Sequence, residues 1–211
     1  MARDVVVVDH PVVRHRVGLL RDAATANAGV ARLVHDITTF VAYEALRDLA
    51  TRPARVATPV TPEATVERVA ETVLVVPVLR AGLGMVPAVQ GLLPASEVAC
   101  VGLRRDESTL EAQVYLDQLP LRLAERRVVV CDPMLATGGS LATVCALARR
   151  RGARRVQALC VIASVPGLER FHREQPEVPV ACAAVDESLD ERGYIVPGLG
   201  DAGDRLFGPL D

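Results

Sequence analysis

Val128-Val129-Val130-Cys131-Asp132-Pro133-Met134-Leu135-Ala136-Thr137-Gly138-Gly139-Ser140 decides the reading of this chain. An apolar run predicts a short buried strand, and a carboxylate follows at its C-terminal end. Small and hydroxyl residues then turn the chain into the apolar helical run Leu141 to Leu147. In an open α/β sheet, ligands bind at junctions of this kind. The residue types narrow the ligand. Gly138 and Gly139 let the backbone approach an anion closely, and Thr137 and Ser140 offer hydroxyl donors. The new helix directs free N–H groups and the positive end of its dipole at the same point. A phosphate monoester fits there, with Asp132 on the near side of the loop, placed to accept hydrogen bonds from ribose hydroxyls.

Outward from this loop, apolar β-rich runs alternate with helical stretches. Val73 to Leu79 precedes a helix after Gly84, and Val98 to Leu103 follows. Val156 to Ile162 leads into a helix from about Val165, and Val178 to Cys182 is the last run. Short, continuous apolar strands separated by helices predict a parallel sheet covered on both faces. Upstream, a short strand and two helices are expected, the second marked by Val30, Leu33, Val34, Ile37, Val41 and Ala45 at helical spacing. Pro53, Pro59 and Pro62 then break the pattern. Arg104 to Leu123 does not fit the alternation and predicts a loop followed by a projecting hairpin around Val114 and Leu116. The glycine- and proline-rich tail from Gly193 to Gly208 is too irregular for an element, and its composition is that of a segment held down by the rest of the fold.

Composition sets limits. The chain has 211 residues and is 50% apolar, enough for the core of one domain, expected to span residues 1–211. No apolar run reaches the roughly 20 residues needed to cross a bilayer. The run Val5 to Val8 stops at Asp9 and His10, unlike a signal peptide. Five cysteines without a CxxC pair indicate reduced, buried thiols in a cytoplasmic protein. A net charge of −2 provides no electrostatic case for nucleic-acid binding. All 24 basic residues are arginines. That excludes a P-loop lysine and a Schiff-base lysine, so phosphate handling falls to arginine, backbone N–H groups, hydroxyls and metal. His10, His15, His35 and His172 lie outside the motifs and read as surface or capping residues.

Two arginine positions and the tail complete the set. In Val76-Pro77-Val78-Leu79-Arg80-Ala81-Gly82-Leu83-Gly84, an arginine ends a strand before two glycines, placed for planar, bidentate recognition of diphosphate oxygens. Arg104-Arg105-Asp106-Glu107-Ser108 opens the irregular segment. Gly193-Tyr194-Ile195-Val196-Pro197-Gly198-Leu199-Gly200-Asp201-Ala202-Gly203-Asp204-Arg205 has an irregular backbone able to direct its own N–H and C=O groups inward.

The loop resembles the 5-phosphoribosyl 1-diphosphate (PRPP) motif of type I phosphoribosyltransferases, and the tail resembles the signature of their uracil-specific branch. The match runs from about His10 to Phe207 and rests on the order and spacing of the junctions. It implies a Rossmann-like parallel sheet with a projecting β-hairpin arm and a small hood formed by the chain termini. It also implies transfer of the phosphoribosyl group from PRPP to uracil, giving UMP and pyrophosphate in pyrimidine salvage. Residue by residue, Arg80, Arg105, Asp132, Pro133, Met134, Leu135, Ala136, Thr137, Gly138, Gly139, Ser140 and Asp201 would bind PRPP. Arg105 would close as a lid on the diphosphate, and Asp132, Arg105 and Asp201 would carry the catalytic work. Ile195, Gly200, Asp201 and Ala202 would surround uracil. Mg²⁺ is expected as cofactor, held mainly by PRPP oxygens and water. A homo-oligomer, dimer or tetramer, is expected, and some relatives are controlled by a purine nucleotide such as GTP. Cys131 departs from the more usual apolar residue before the acid, and the single acid followed by Pro133 fits the uracil branch. Two alternatives stand beside this reading: a nucleotide-sensing or RNA-binding regulator that keeps the fold, and a phosphoribosyltransferase for another base. The regulator predicts a basic face and eroded motifs, whereas this chain is mildly acidic with its motifs intact.

Overall fold

The computed structural model describes residues 5–105 and 112–209, with only the backbone described at Arg105 and Ala112. The chain opens with β1 (Val5–Val7), α1 (Pro11–Arg21) and α2 (Asn27–Ala45). At the start of α1, His10 Nδ1 accepts from the Val12 N–H at 3.2 Å, and Pro11 occupies a position whose N–H has no helical partner. The six apolar residues at helical spacing form the buried face of α2.

β2 (Thr51–Val56) and β3 (Ala64–Val69) pair antiparallel in a two-stranded sheet of their own. The prolines predicted only an interruption here. Both strands of such a ribbon are edges, so Pro53 is accommodated without breaking a central ladder, and Pro59 and Pro62 fall between the strands.

β4 (Thr72–Leu79) leads through a 3₁₀ turn (Ala81–Met85) into α3 (Val86–Leu92), followed by β5 (Glu97–Val98), β6 (Val101–Arg105) and β7 (Ala112–Asp117). β6 runs parallel to β4 and antiparallel to β7. The expected hairpin is therefore present, but Arg104 and Arg105 belong to its first strand rather than to a loop, and it extends the main sheet. Then come β8 (Arg126–Cys131), β9 (Met134–Leu135), α4 (Gly139–Arg150), β10 (Arg155–Leu159), β11 (Ile162–Ser164) and α5 (Val165–Glu174). The chain ends with β12 (Val180–Cys182), β13 (Ala184–Asp186), β14 (Ser188–Leu189), β15 (Ile195–Val196) and α6 (Ala202–Phe207).

The main sheet has the order β1-β12-β10-β8-β4-β6-β7, with β5 paired to β4. The run Val156 to Ile162, expected as one strand, is two. β8, β10 and β12 all stop in the main sheet, and their continuations β9, β11 and β13 re-form as a parallel three-stranded sheet in the order β13-β11-β9. Pro133 has no N–H to continue the β8 ladder, and its carbonyl accepts from both Val161 N at 2.9 Å and Ile162 N at 3.0 Å.

Alternating side chains feed two cores. Val129, Cys131 and Leu159 pack with α1, α2 and the tail residues Ile195, Leu199, Ala202 and Leu206. Val128, Val130 and Ala158 pack with Leu141, Val144 and Cys145 of α4 and Phe171 of α5. Helices thus cover both faces, as the continuous apolar strands require, and the two ends of the chain meet in one apolar hood. Cys131, Cys145, Cys160 and Cys182 are buried free thiols and Cys100 is half-buried. Among the described residues no helix is long and apolar enough to cross a membrane.

Candidate active site

The phosphate loop is shaped from behind by α5. Gly138 has φ +79°, a conformation that glycine adopts at no steric cost, and a Cβ there would lie 2.5 Å from the Gly167 carbonyl. Ser164, the N-cap of α5, accepts from Gly167 N at 2.9 Å and donates to the Ala136 carbonyl at 2.6 Å. α4 begins at Gly138 without a side-chain cap. Its first N–H groups therefore have no capping oxygen, and they and the dipole are available to an anion. The strand–loop–helix junction lies where the sequence predicts it, whereas the role of Ser164 and Gly167, whose pairing with Ala136 depends on tertiary contact, left no sequence signal.

Asp132 follows directly after β8 at the mouth of the loop, half-buried, with its Oδ1 accepting from Met134 N at 3.3 Å. Burial pushes its carboxyl up to about 7, opposed by the Met134 hydrogen bond and reinforced by the negative charge of Asp201. A carboxyl poised near neutrality at the end of a sheet strand fits a functional role. Asp201 itself is exposed and caps α6, its Oδ1 accepting from Asp204 N at 2.9 Å.

Arg80 follows the end of β4, and because β4 and β8 are parallel neighbours with Pro77 opposite Cys131, both strands deliver their next residues to the same end of the sheet. The Leu79–Arg80 peptide is cis. Arg80 Nη2 lies 3.2 Å from Asp204 Oδ1, which leaves its other guanidinium donors for a ligand. Gly82 makes a close approach: a Cβ there would overlap the Cys131 carbonyl and lie 3.1 Å from Pro77 Cα. The backbone of Arg105 ends β6, while its side chain and residues 106–111, the expected lid, lie outside the described residues.

The tail brings Ile195, Gly200, Asp201 and Ala202 together around a cleft of about 280 Å³ that Met134 and Ala136 of the phosphate loop also line. Ile195 and Ala202 are buried, and Gly200 has φ +77°. Gly193 links the two halves: a Cβ there would lie 3.5 Å from the Thr137 methyl. Arg192 and Tyr194 also line the cleft. Arg192 escaped the sequence reading because nothing local distinguishes it from other exposed turn residues, and Tyr194 lies in the tail read from the sequence but without a role assigned to it. Among the described residues, no three His, Cys, Asp or Glu side chains come together as metal ligands. The arrangement suits a phosphorylated sugar in the loop, an anionic leaving group near Arg80 and a small planar ring beside the tail.

Comparison with known proteins agrees with this geometry. The family model described as "Uracil phosphoribosyltransferase" matches residues 7–209. A uracil phosphoribosyltransferase of Kineococcus radiotolerans is 50% identical over 205 residues, covering 96% of this chain and 97% of its own length. One from a Thermoanaerobacter species is 44% identical over 208 residues, with 99% of each chain covered. A solved protein of Aquifex aeolicus superposes with a TM-score of 0.91 at 34% identity, covering 97% of this chain and 98% of that one. An adenine phosphoribosyltransferase of Thermoanaerobacter pseudethanolicus shares the fold alone, with a TM-score of 0.51 at 12% identity over 80% of this chain and 85% of that one.

Proposed function

The chain belongs to the uracil phosphoribosyltransferase family, and we propose that the residues gathered at its sheet edge divide the transfer of the phosphoribosyl group from PRPP to uracil as follows. The carrying observation is that the phosphate loop, Asp132, Arg80 and the tail converge at one edge, with Met134, Ala136, Ile195 and Ala202 sharing a single cleft.

In this reading the N–H groups at the start of α4, with Thr137 and Ser140, hold the 5′-phosphate. Asp132 accepts from the ribose hydroxyls. Arg80 and Arg105 neutralise the diphosphate, and Arg105 closes over it to exclude water. Uracil N1 forms a bond to ribose C1 and gives up its proton, to a pyrophosphate oxygen or water, as the C1–oxygen bond to pyrophosphate breaks, and positive charge develops on the sugar in between. That chemistry needs no enzyme nucleophile. The protein contributes position and charge. Uracil lies against backbone groups at Ile195 and Gly200 to Ala202.

The donor set suits Mg²⁺ carried in by the substrate. Few side-chain ligands are at hand among the described residues, so PRPP oxygens and water would supply most of the ion's coordination, as Mg²⁺ prefers, with the acids Asp132 and Asp201 on the same side of the site to favour a cation. When bound, the ion neutralises charge on the diphosphate.

Self-association belongs to the same reading. It is supported by exposed Tyr43, Phe40 and Leu92 beside a groove lined by Ala42, Leu46 and Leu93.

The test is pyrophosphate release with PRPP and Mg²⁺ and each nucleobase in turn, where uracil alone should support turnover. Silence with uracil would favour the regulator, and turnover with another base would reassign the substrate. Repeating the assay with GTP tests the expected purine-nucleotide control.

A further inference from the structure

We propose that Arg21 and Asp186 are positioning residues for the base pocket, their ion pair holding the backbone of Gly198 and through it the segment that reads uracil. The proposal rests on the assignment of the tail as the base pocket.

The segment needs such a device. Between β15 and α6 it has no regular partner, and positive φ at both Gly198 and Gly200 gives it an irregular path. Two clefts meet at it, one of about 280 Å³ and one of about 560 Å³ lined by Arg21, Thr25, Asn27 and Leu199, with Gly200 and Asp201 lining both. Leu199 anchors the segment in the hood core, and polar ties fix the backbone of Gly198 beside it.

Those ties converge on one ion pair. Arg21, the last residue of α1, donates from Nη2 to Asp186 Oδ1 at 2.6 Å and from Nη1 to Asp186 Oδ2 at 2.7 Å. The same Nη1 donates to the Gly198 carbonyl at 2.9 Å, and Gly198 N donates back to Asp186 Oδ2 at 3.0 Å. Both backbone polar groups of Gly198 are thus held by one bidentate pair. Its side chains are only 23% and 7% exposed, so it is shielded from the water that weakens surface pairs. Arg205 adds ties from the tail to the same helix end, donating to Leu199 O at 3.0 Å, to Leu20 O and to Asp22 O at 2.8 Å.

Asp186 also indexes the wall against the sugar. It ends β13, paired with Ser164 of β11, and β11 pairs in turn with β9, the Met134–Leu135 part of the phosphate loop. One small sheet therefore carries both the loop that takes the 5′-phosphate and the acid that fixes the base wall. The backbone groups that meet uracil move with this wall, so a loosened clamp should appear as weak binding of uracil.

The test is steady-state kinetics of Arg21→Lys and Asp186→Asn with uracil, cytosine and PRPP. Lysine keeps the charge but cannot span both carboxylate oxygens, and asparagine turns one acceptor into a donor facing a donor. Each variant should raise KM for uracil about tenfold or more, a loss of about 1.4 kcal/mol in kcat/KM at unchanged kcat. KM for PRPP should move less than about threefold, and the preference for uracil over cytosine should fall. Proportional changes in both KM values, or no change with the preference intact, would overturn the proposal. Should Asp186→Asn fail to fold, Arg21→Lys and Asp186→Glu decide by the same readouts. An unmodified enzyme inactive with uracil would instead remove the base-pocket assignment itself.

Discussion

Gly82 packs against the carbonyl of Cys131 so closely that a Cβ would overlap it, with Pro77 Cα 3.1 Å from the same point. The contact brings the turn after Arg80 onto the end of β8, one residue before Asp132. Backbone atoms on the opposing side cannot swing away as a side chain would. Gly82→Ala should lower stability by about 1 to 3 kcal/mol, the usual cost of overpacking, and should reduce kcat/KM for PRPP more than KM for uracil. Thermal melting with paired kinetics checks both, and a variant with unchanged melting and PRPP use would remove the contact from consideration.

Asp132 links pH to both stability and turnover. Its native carboxyl is pushed up to about 7 by burial, whereas an unfolded aspartate titrates near 3.9. Between those values the native state binds more protons. The stabilisation from the neutral group is therefore complete below about pH 4 and lost as pH rises toward and through 7. Asp132→Asn keeps the oxygen that accepts from Met134 N but cannot ionise. The ligand-free variant should melt like the parent near pH 4 and above it near pH 8. Its turnover should fall at least tenfold, about 1.4 kcal/mol of barrier. Melting curves at the two pH values that stay parallel would contradict the raised pKa.

Arg80 and Arg105 should separate from the base pocket in kinetics. Arg80→Ala should raise KM for PRPP about tenfold or more and leave KM for uracil nearly unchanged. Its pair with Asp204 is substantially exposed, and such pairs contribute roughly 0 to 1 kcal/mol, so melting should barely shift. Arg105→Ala should lower kcat/KM for PRPP if it meets charge that builds on the leaving group. Normal kinetics with a large loss of melting temperature would make either arginine a structural residue.

Uracil presents acceptor, donor, acceptor across O4, N3–H and O2, and cytosine reverses the first two. In a pocket built for uracil, cytosine leaves polar groups unpaired at roughly 1 to 3 kcal/mol each, so discrimination of about 10⁴ is expected. 5-Fluorouracil keeps the same edge and should react. Gly200 sits at φ +77°, where a β-branched residue is strained, so Gly200→Val should weaken uracil use without creating cytosine use. Ala202→Ser should preserve the preference. Comparable kcat/KM for the two bases in the unmodified protein would sink a backbone-read pocket.

The sequence alone determined the features governed by local rules. Continuous apolar runs between amphipathic stretches specify buried parallel strands, and Asp132 through Ser140 has the residue types of a phosphate loop wherever it is placed. The spacing of Val30, Leu33, Val34, Ile37, Val41 and Ala45 was enough to define the buried face of α2. Tertiary structure alone decided the rest. It split Val156 to Ile162 between two sheets because the carbonyl of Pro133, a residue distant in sequence, captures the amides of Val161 and Ile162. It made a ribbon of the proline-interrupted segment by pairing Thr51 to Val56 with Ala64 to Val69. It joined Arg21 to Asp186 and Gly198 across 165 and 177 residues of sequence separation. A hydrogen bond is satisfied by proximity in space, and no local pattern in Arg21, Asp186 or Gly198 announces which distant partner the folded chain will bring within 3 Å.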